Sequence, residues 1–384
     1  MKRALKAGLR ELAASALHHS GALRALQVFS RTHEVAPDTK GRRTLSRVAV
    51  PKFLILTYHR VGVGGVPIYS WLETEAFEAQ MRYLRQHFEI ISLDALLYAV
   101  QNGAPANTRA VAITFDDGYL GTYTEAFPIL RKYRIPATVY LTVGSIESGE
   151  AAWYDRLFLA LQVMQSETLE CAWHPFRRFI LGDKASRIAA TEKLVQYLRT
   201  VPDGKLKALC AEIESRVRLP EKELRGCMLT WNHVREMQAA GITFGSHTMS
   251  HAVVAQLSKD DLESELRLSK QIIEARTAAS VQHFAYPFGR PADCGGEATA
   301  VLKRLGYSSA VTTVEGTNVP FADPFALKRA SIGTSTSLSQ FALRISKLFF
   351  VSGTGSHHLD AASRDATRGQ AKTDEPQAER SAHA

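Results

Sequence analysis

Short runs of apolar and β-branched residues alternate with amphipathic helical stretches through the middle of this chain. That alternation restricts the fold more than any other feature. The predicted strands cover residues 53–58, 89–92, 111–115, 137–142, 242–246, 283–286, 308–313 and 326–332. Several are apolar nearly throughout, as in Phe53-Leu54-Ile55-Leu56, which is expected of strands covered on both faces. Helical periodicity over 75–88, 120–133 and 260–275 fills gaps between them. Strand–helix repetition of this kind gives a parallel sheet, either doubly wound or closed as a barrel.

One stretch breaks the rhythm. From about 151 to 227 only helical patterns recur, over 155–165, 185–200 and 205–217. This is too long for a simple crossover and reads as a helical insertion or cap. With 45% hydrophobic and 22% charged residues in 384, the chain can build a large core, which excludes a disordered, collagen-like or disulfide-stapled polypeptide. Cys171, Cys210, Cys227 and Cys294 show no Cys-x-x-Cys spacing, so neither a zinc ribbon nor a redox dithiol is indicated.

The two ends differ from the body. Ten of the Lys and Arg residues fall in positions 1–50 against Glu11, Glu34 and Asp38, so seven of the nine net positive charges sit there. The body is close to neutral, and no nucleic-acid partner is implied. Leu5, Leu9, Leu12 and Ala16 recur at helical spacing, as do Leu23, Leu26 and Phe29, while Arg10 and Glu11 interrupt the apolar run that a secretory signal needs. Two readings of residues 1–30 stand side by side: a helix packed on the barrel or closing its bottom, and an interfacial helix making peripheral contact with anionic lipid. No segment supplies the ~18 apolar residues of a membrane span. The expected organisation is a basic helical arm and linker over 1–50, a body over 51–350 and a disordered tail over 351–384, in a cytoplasmic protein, peripheral at the inner membrane if the arm binds lipid.

Four motifs fall at the same end of predicted strands. The run Val111-Ala112-Ile113-Thr114-Phe115 leads into Asp116-Asp117-Gly118, where one carboxylate can face a metal and its neighbour a reacting water. The same residues also suit a plain helix N-cap and turn. Ser246-His247-Thr248-Met249-Ser250-His251 places two histidines four apart. They could meet one cation in a tight turn, or be ordinary surface or core histidines. His59 ends the strand Leu54-Ile55-Leu56-Thr57-Tyr58, at the mouth of a parallel sheet where active sites collect, or serves as a structural histidine. Phe284-Ala285-Tyr286-Pro287-Phe288-Gly289 reads as a loop, or as a turn presenting a backbone N–H to a developing oxyanion.

Together these residues resemble the polysaccharide deacetylases, carbohydrate esterases built on a NodB-type domain. The resemblance runs over about residues 50–350 and is carried by Thr114-Phe115-Asp116-Asp117-Gly118 and Ser246-His247-x-x-x-His251, with Met228-Leu229-Thr230-Trp231 and Tyr286-Pro287-Phe288-Gly289 as flanking segments. It implies a distorted (β/α) barrel of about seven strands with a helical insertion. It further implies a metal-dependent hydrolase that removes N-acetyl groups from N-acetylhexosamine in a polysaccharide or its lipid-linked precursor. By the same resemblance Asp116 is the catalytic base, Asp117, His247 and His251 are the ligands of Zn²⁺ or another divalent transition metal, and the Phe288 N–H serves the oxyanion. The usual C-terminal Leu-x-Leu-x-His strand is missing. The order resembles the permuted exopolysaccharide deacetylase subgroup, which assigns the general acid to His59. Ala285 stands where the family's Arg-x-Pro-Tyr-Gly motif has arginine, leaving Arg290 and Arg329 as candidates to orient the base. A small-molecule amidohydrolase or deformylase, and a non-catalytic glycan-binding relative, are the alternative readings.

Overall fold

A computed structural model describes residues 50–62, 71–106, 108–220, 224–333 and 336–350. The predicted basic arm and tail lie outside the described residues, apart from Val50. In chain order the strands are β1 (Lys52–Tyr58), β2 (Arg60–Val61), β3 (Trp71–Leu72), β4 (Glu89–Ile90), β5 (Arg109–Phe115), β6 (Ala137–Leu141), β7 (Thr168–Glu170), β8 (Arg178–Ile180), β9 (Thr243–Ser246), β10 (His283–Ala285), β11 (Ser309–Glu315) and β12 (Leu327–Ser331). The order β1-β12-β11-β10-β9-β6-β5 closes on itself because β1 also pairs with β5, and β4 is appended to β5. The result is a closed barrel of seven parallel strands with helices around it.

The first strand among the described residues closes this barrel. β1 runs in register with β5 from Lys52↔Arg109 to Tyr58↔Phe115, so the residues that follow, His59 and Asp116, emerge side by side. The strands' near-continuous apolar runs have the predicted cause, since β5 and β6 are buried along almost their whole length. The opposite, N-terminal end of the barrel is plugged by the helix Leu93–Asn102, whose Leu93, Leu96, Leu97 and Val100 share a core cluster with Phe53, Ala110 and Leu327. Ser92 caps that helix by accepting a hydrogen bond from the Ala95 N–H at 3.1 Å.

The 151–227 stretch differs from its purely helical reading. Between the helices Trp153–Val163 and Lys184–Leu198 it contains the antiparallel hairpin β7–β8. The strands are only three residues each, too short for alternation to show in a sequence. This unit builds a core of its own around Leu157, Leu161, Leu194, Leu198 and Ile213. All four cysteines are free thiols. Among the described residues no helix is long and apolar enough to cross a membrane.

Candidate active site

The C-terminal ends of β5, β9, β10, β12 and β1 deliver the polar residues. Asp116 and Asp117 leave β5 in different directions because Asp117 has φ +72° and Gly118 φ +83°. A Cβ on Gly118 would also meet Ile146 and Leu141 at 3.0 Å, so this turn needs glycine for both backbone and space. The loop after β9 is held from two sides. Val143 and Gly144 N–H groups donate to the carbonyls of Thr248 and Met249 at 3.1 and 2.7 Å. Glu265 accepts from the Met249 and Ser250 N–H groups at 2.7 and 3.0 Å. Gly144 permits that approach, since a Cβ there would lie 2.6 Å from the Met249 oxygen.

Held this way, Asp117, His247 and His251 converge, with their ligand atoms within 4.8 Å of one another and all three side chains buried. His247 Nε2 and His251 Nε2 lie 3.4 and 3.3 Å from Asp117 Oδ1. His247 Nδ1 is 2.7 Å from the carbonyl oxygen of Ala285. A carbonyl can only accept, so Nδ1 carries the proton and Nε2 of the neutral ring presents a lone pair to the cluster. Asp117 Oδ1 is buried and accepts no hydrogen bond. A donor-free carboxylate oxygen and the His247 lone pair, with His251 Nε2 3.3 Å from the same oxygen, fit a cation. Ligands bound to one zinc at ~2.0–2.2 Å with near-tetrahedral angles stand about 3.4 Å apart. The residues present therefore fit a divalent metal.

Asp116 belongs to a different network. Arg329, fully buried on β12, donates from Nη1 to Asp116 Oδ1 and from Nη2 to Asp116 Oδ2, both at 2.7 Å. The guanidinium is fixed in turn by Nε donating to the Thr312 carbonyl at 2.8 Å and Nη1 donating to Thr57 Oγ1 at 3.0 Å. Burial would raise Asp116, yet the paired guanidinium outweighs it and keeps the carboxyl below its usual value. Of the two arginines considered from sequence, Arg329 makes this contact. Arg290 is exposed and stands at the N-cap of the short helix Pro291–Cys294. Nothing in the altered Tyr-Pro-Phe-Gly motif could have indicated an arginine two strands away.

His59 places Nε2 3.8 Å from Asp116 Oδ2 and is the most open member of the group, its side chain 23% exposed. Phe288 sits in the turn after β10 with φ +60°, its ring 4.9 Å from that of His251. Among the described residues nothing accepts a hydrogen bond from its backbone N–H. All six residues singled out from sequence thus gather at one barrel end. Of the eight non-glycine residues with positive φ among the described residues, Asp117, Thr248, His251 and Phe288 lie here. Such concentrated backbone strain marks functional sites, and a β-branched threonine is the most costly of these.

Sequence reading missed a second layer. Asp155, in the first turn of the helix Trp153–Val163, is buried and accepts from Arg60 at 2.6 Å and from the Tyr119 hydroxyl at 2.7 Å. Burial pushes its carboxyl up despite the arginine. Neighbouring Tyr154 lays its ring 4.6 Å from His251, and Trp153 Nε1 donates to the His251 carbonyl at 3.3 Å. No residue spacing in the sequence signals these contacts between distant segments.

The profile of the polysaccharide deacetylase family matches residues 103–310, just over half of the chain. Among curated proteins, the chain is 23% identical over 302 residues to YxkH of Bacillus subtilis, a candidate polysaccharide deacetylase, with 77% of each sequence covered. It is 39% identical over 120 residues to the poly-β-1,6-N-acetyl-D-glucosamine N-deacetylase of Escherichia coli O157:H7, a stretch covering 30% of this chain and 18% of that enzyme. Among solved structures, the Streptococcus pyogenes deacetylase PplD in complex with acetate gives a TM-score of 0.53 at 20% identity, covering 77% of this chain and 99% of that one. IcaB from Ammonifex degensii gives 0.51 at 18% identity, covering 78% and 98%. At these identities the structural likeness establishes the fold, a NodB-type (β/α) barrel.

Proposed function

Given that the chain belongs to the polysaccharide deacetylase family, and is a hydrolase acting on carbon–nitrogen bonds of polysaccharide acetyl groups, we propose that it removes N-acetyl groups from N-acetylhexosamine residues of a glycan or its lipid-linked precursor. The single observation that carries this reading is the convergence of Asp117, His247 and His251 beside a separately anchored Asp116. The N-acetylglucosamine polymer acted on by the Escherichia coli relative supports the choice of sugar class.

Asp117 Oδ1, His247 Nε2 and His251 Nε2 would hold the metal, zinc or another divalent transition ion. When bound, such an ion supplies Lewis acidity, which makes water nucleophilic near neutral pH and polarises the amide carbonyl. Asp116 takes the proton from the attacking water, and Arg329 keeps that carboxylate ionised and fixed in orientation. The Phe288 N–H donates to the carbonyl oxygen as negative charge builds on it. His59, in its protonated form, donates to the departing nitrogen, because an amine leaves an amide only once it is protonated. Its position across Asp116 follows from the pairing of β1 with β5.

Release of acetate from a panel of N-acetylated oligosaccharides, with and without chelator, tests this directly. Metal-dependent acetate release from at least one N-acetylhexosamine oligomer is expected. Release unaffected by chelator, or confined to small non-sugar amides, would contradict it.

A further inference from the structure

The helical insertion does more than border the active site. Phe288 lies on the turn after β10, yet its ring packs on the insertion's hydrophobic core. Trp153 and Tyr154 approach that ring with centroid distances of 5.9 and 6.2 Å. Across the ring face lies the guanidinium of Arg199, 4.3 Å from the centroid. Arg199 follows the insertion helix Lys184–Leu198 and is nine-tenths buried. Its Nη2 also donates to Asp293 Oδ2, and the same carboxylate oxygen accepts from the Arg290 N–H at 2.9 Å. One arginine therefore grips both ends of the segment 288–293 and ties it to the insertion.

The segment needs such a grip. Phe288 is in the left-handed region, which a phenylalanine avoids unless its surroundings impose it. The Pro287 carbonyl, which shares its peptide unit with the Phe288 N–H, accepts from the Gly289 N–H at 2.7 Å, and the Phe288 carbonyl accepts from the Thr313 hydroxyl, so the planes on both sides of Phe288 are held while its N–H is left free. An oxyanion donor works only if aimed in advance, and a displacement of about 1 Å can cost ~100-fold in rate.

We propose that Arg199 is a positioning residue of the deacetylation site: by stacking on Phe288 and pairing with Asp293 it holds the Phe288 N–H aimed at the reacting carbonyl. This rests on the functional reading above, in which that N–H serves the oxyanion.

Arg199→Met and Asp293→Asn cut the clamp from opposite ends, and each is assayed by acetate release from an N-acetylglucosamine oligomer in zinc-loaded enzyme. Both should lower kcat by about 10- to 100-fold with KM changed less than about twofold and zinc content unchanged. Arg199→Lys, which keeps the ion pair with Asp293, should restore part of the loss. Phe288→Ala retains the backbone N–H but removes the ring, so adding Arg199→Met to it should cost much less than in the wild-type background. Unchanged kcat in both single variants, a loss confined to KM, or full additivity with Phe288→Ala would overturn the proposal while leaving the deacetylase reading intact. A wild-type chain that releases no acetate from any glycan would overturn the deacetylase reading, and this proposal with it.

Discussion

The two ends of the barrel are equally well buried and are built by opposite means. At the N-terminal end the helix Leu93–Asn102 presses four aliphatic side chains onto Phe53, Ala110 and Leu327, and stability comes from apolar area removed from water. At the C-terminal end Asp116, Asp117, His247, His251 and Arg329 are all 4% exposed or less. There, burial is unfavourable for each charge and is offset only by its partner. One end could be redesigned with any aliphatic set of the right volume. The other holds a specific arrangement of charges that has little use as mere packing.

That contrast can be broken or sharpened by substitution. The largest effect is expected from Arg329→Met, which leaves Asp116 buried without its cation. It should remove ~3–5 kcal/mol of stability and abolish acetate release together, because at this end folding and chemistry share one contact. Denaturant unfolding of a variant with wild-type stability would show that the pair is not what offsets the buried charge. Next in size, His59→Ala should slow amide cleavage by about 100- to 10,000-fold but cleavage of an activated acetyl ester far less, since that leaving group needs no proton. Equal losses on the two substrates would move the acid elsewhere.

At the opposite end the expectation is reversed. Leu96→Ala should cost ~2–5 kcal/mol of stability while kcat per folded molecule stays at the wild-type value. A fall in kcat without loss of stability would mean that the plug communicates with the chemistry. The smallest effect belongs to Ser92→Ala, which deletes the cap of the same helix. A loss of about 1 kcal/mol and no change in turnover are expected from thermal unfolding and acetate assays.

What could be read from sequence follows the same division. All eight strand runs appear in the structure because apolar continuity and the helices between them are local signals, and the parallel sheet follows from their alternation. Asp116, Asp117, His247, His251, His59 and Phe288 were legible because each lies in the segment that follows such a strand and because the four motifs fall at the same strand end and together resemble one family's pattern. The partners across the barrel were not. Arg329 stands beside Lys328 in one short strand, and alternation requires one of the two to face inward, yet nothing local says which or toward what. Glu265 occupies an ordinary position on the helix Lys259–Thr277, and its role arises only from the loop it meets. The β7–β8 hairpin and the Arg60–Asp155–Tyr119 contacts were hidden for the same reason. They are defined by how the insertion folds back on the barrel, which no periodicity encodes.

The central claim is that Asp117, His247 and His251 bind one divalent ion and that the adjacent Asp116 does not. Zinc titration by calorimetry, with metal content measured after dialysis, tests this in the wild type, Asp116→Asn and a His247→Ala/His251→Ala double variant. One ion per chain in the first two proteins and none in the third is predicted. Equal zinc retention in the double variant, or loss of zinc from Asp116→Asn alone, would contradict it.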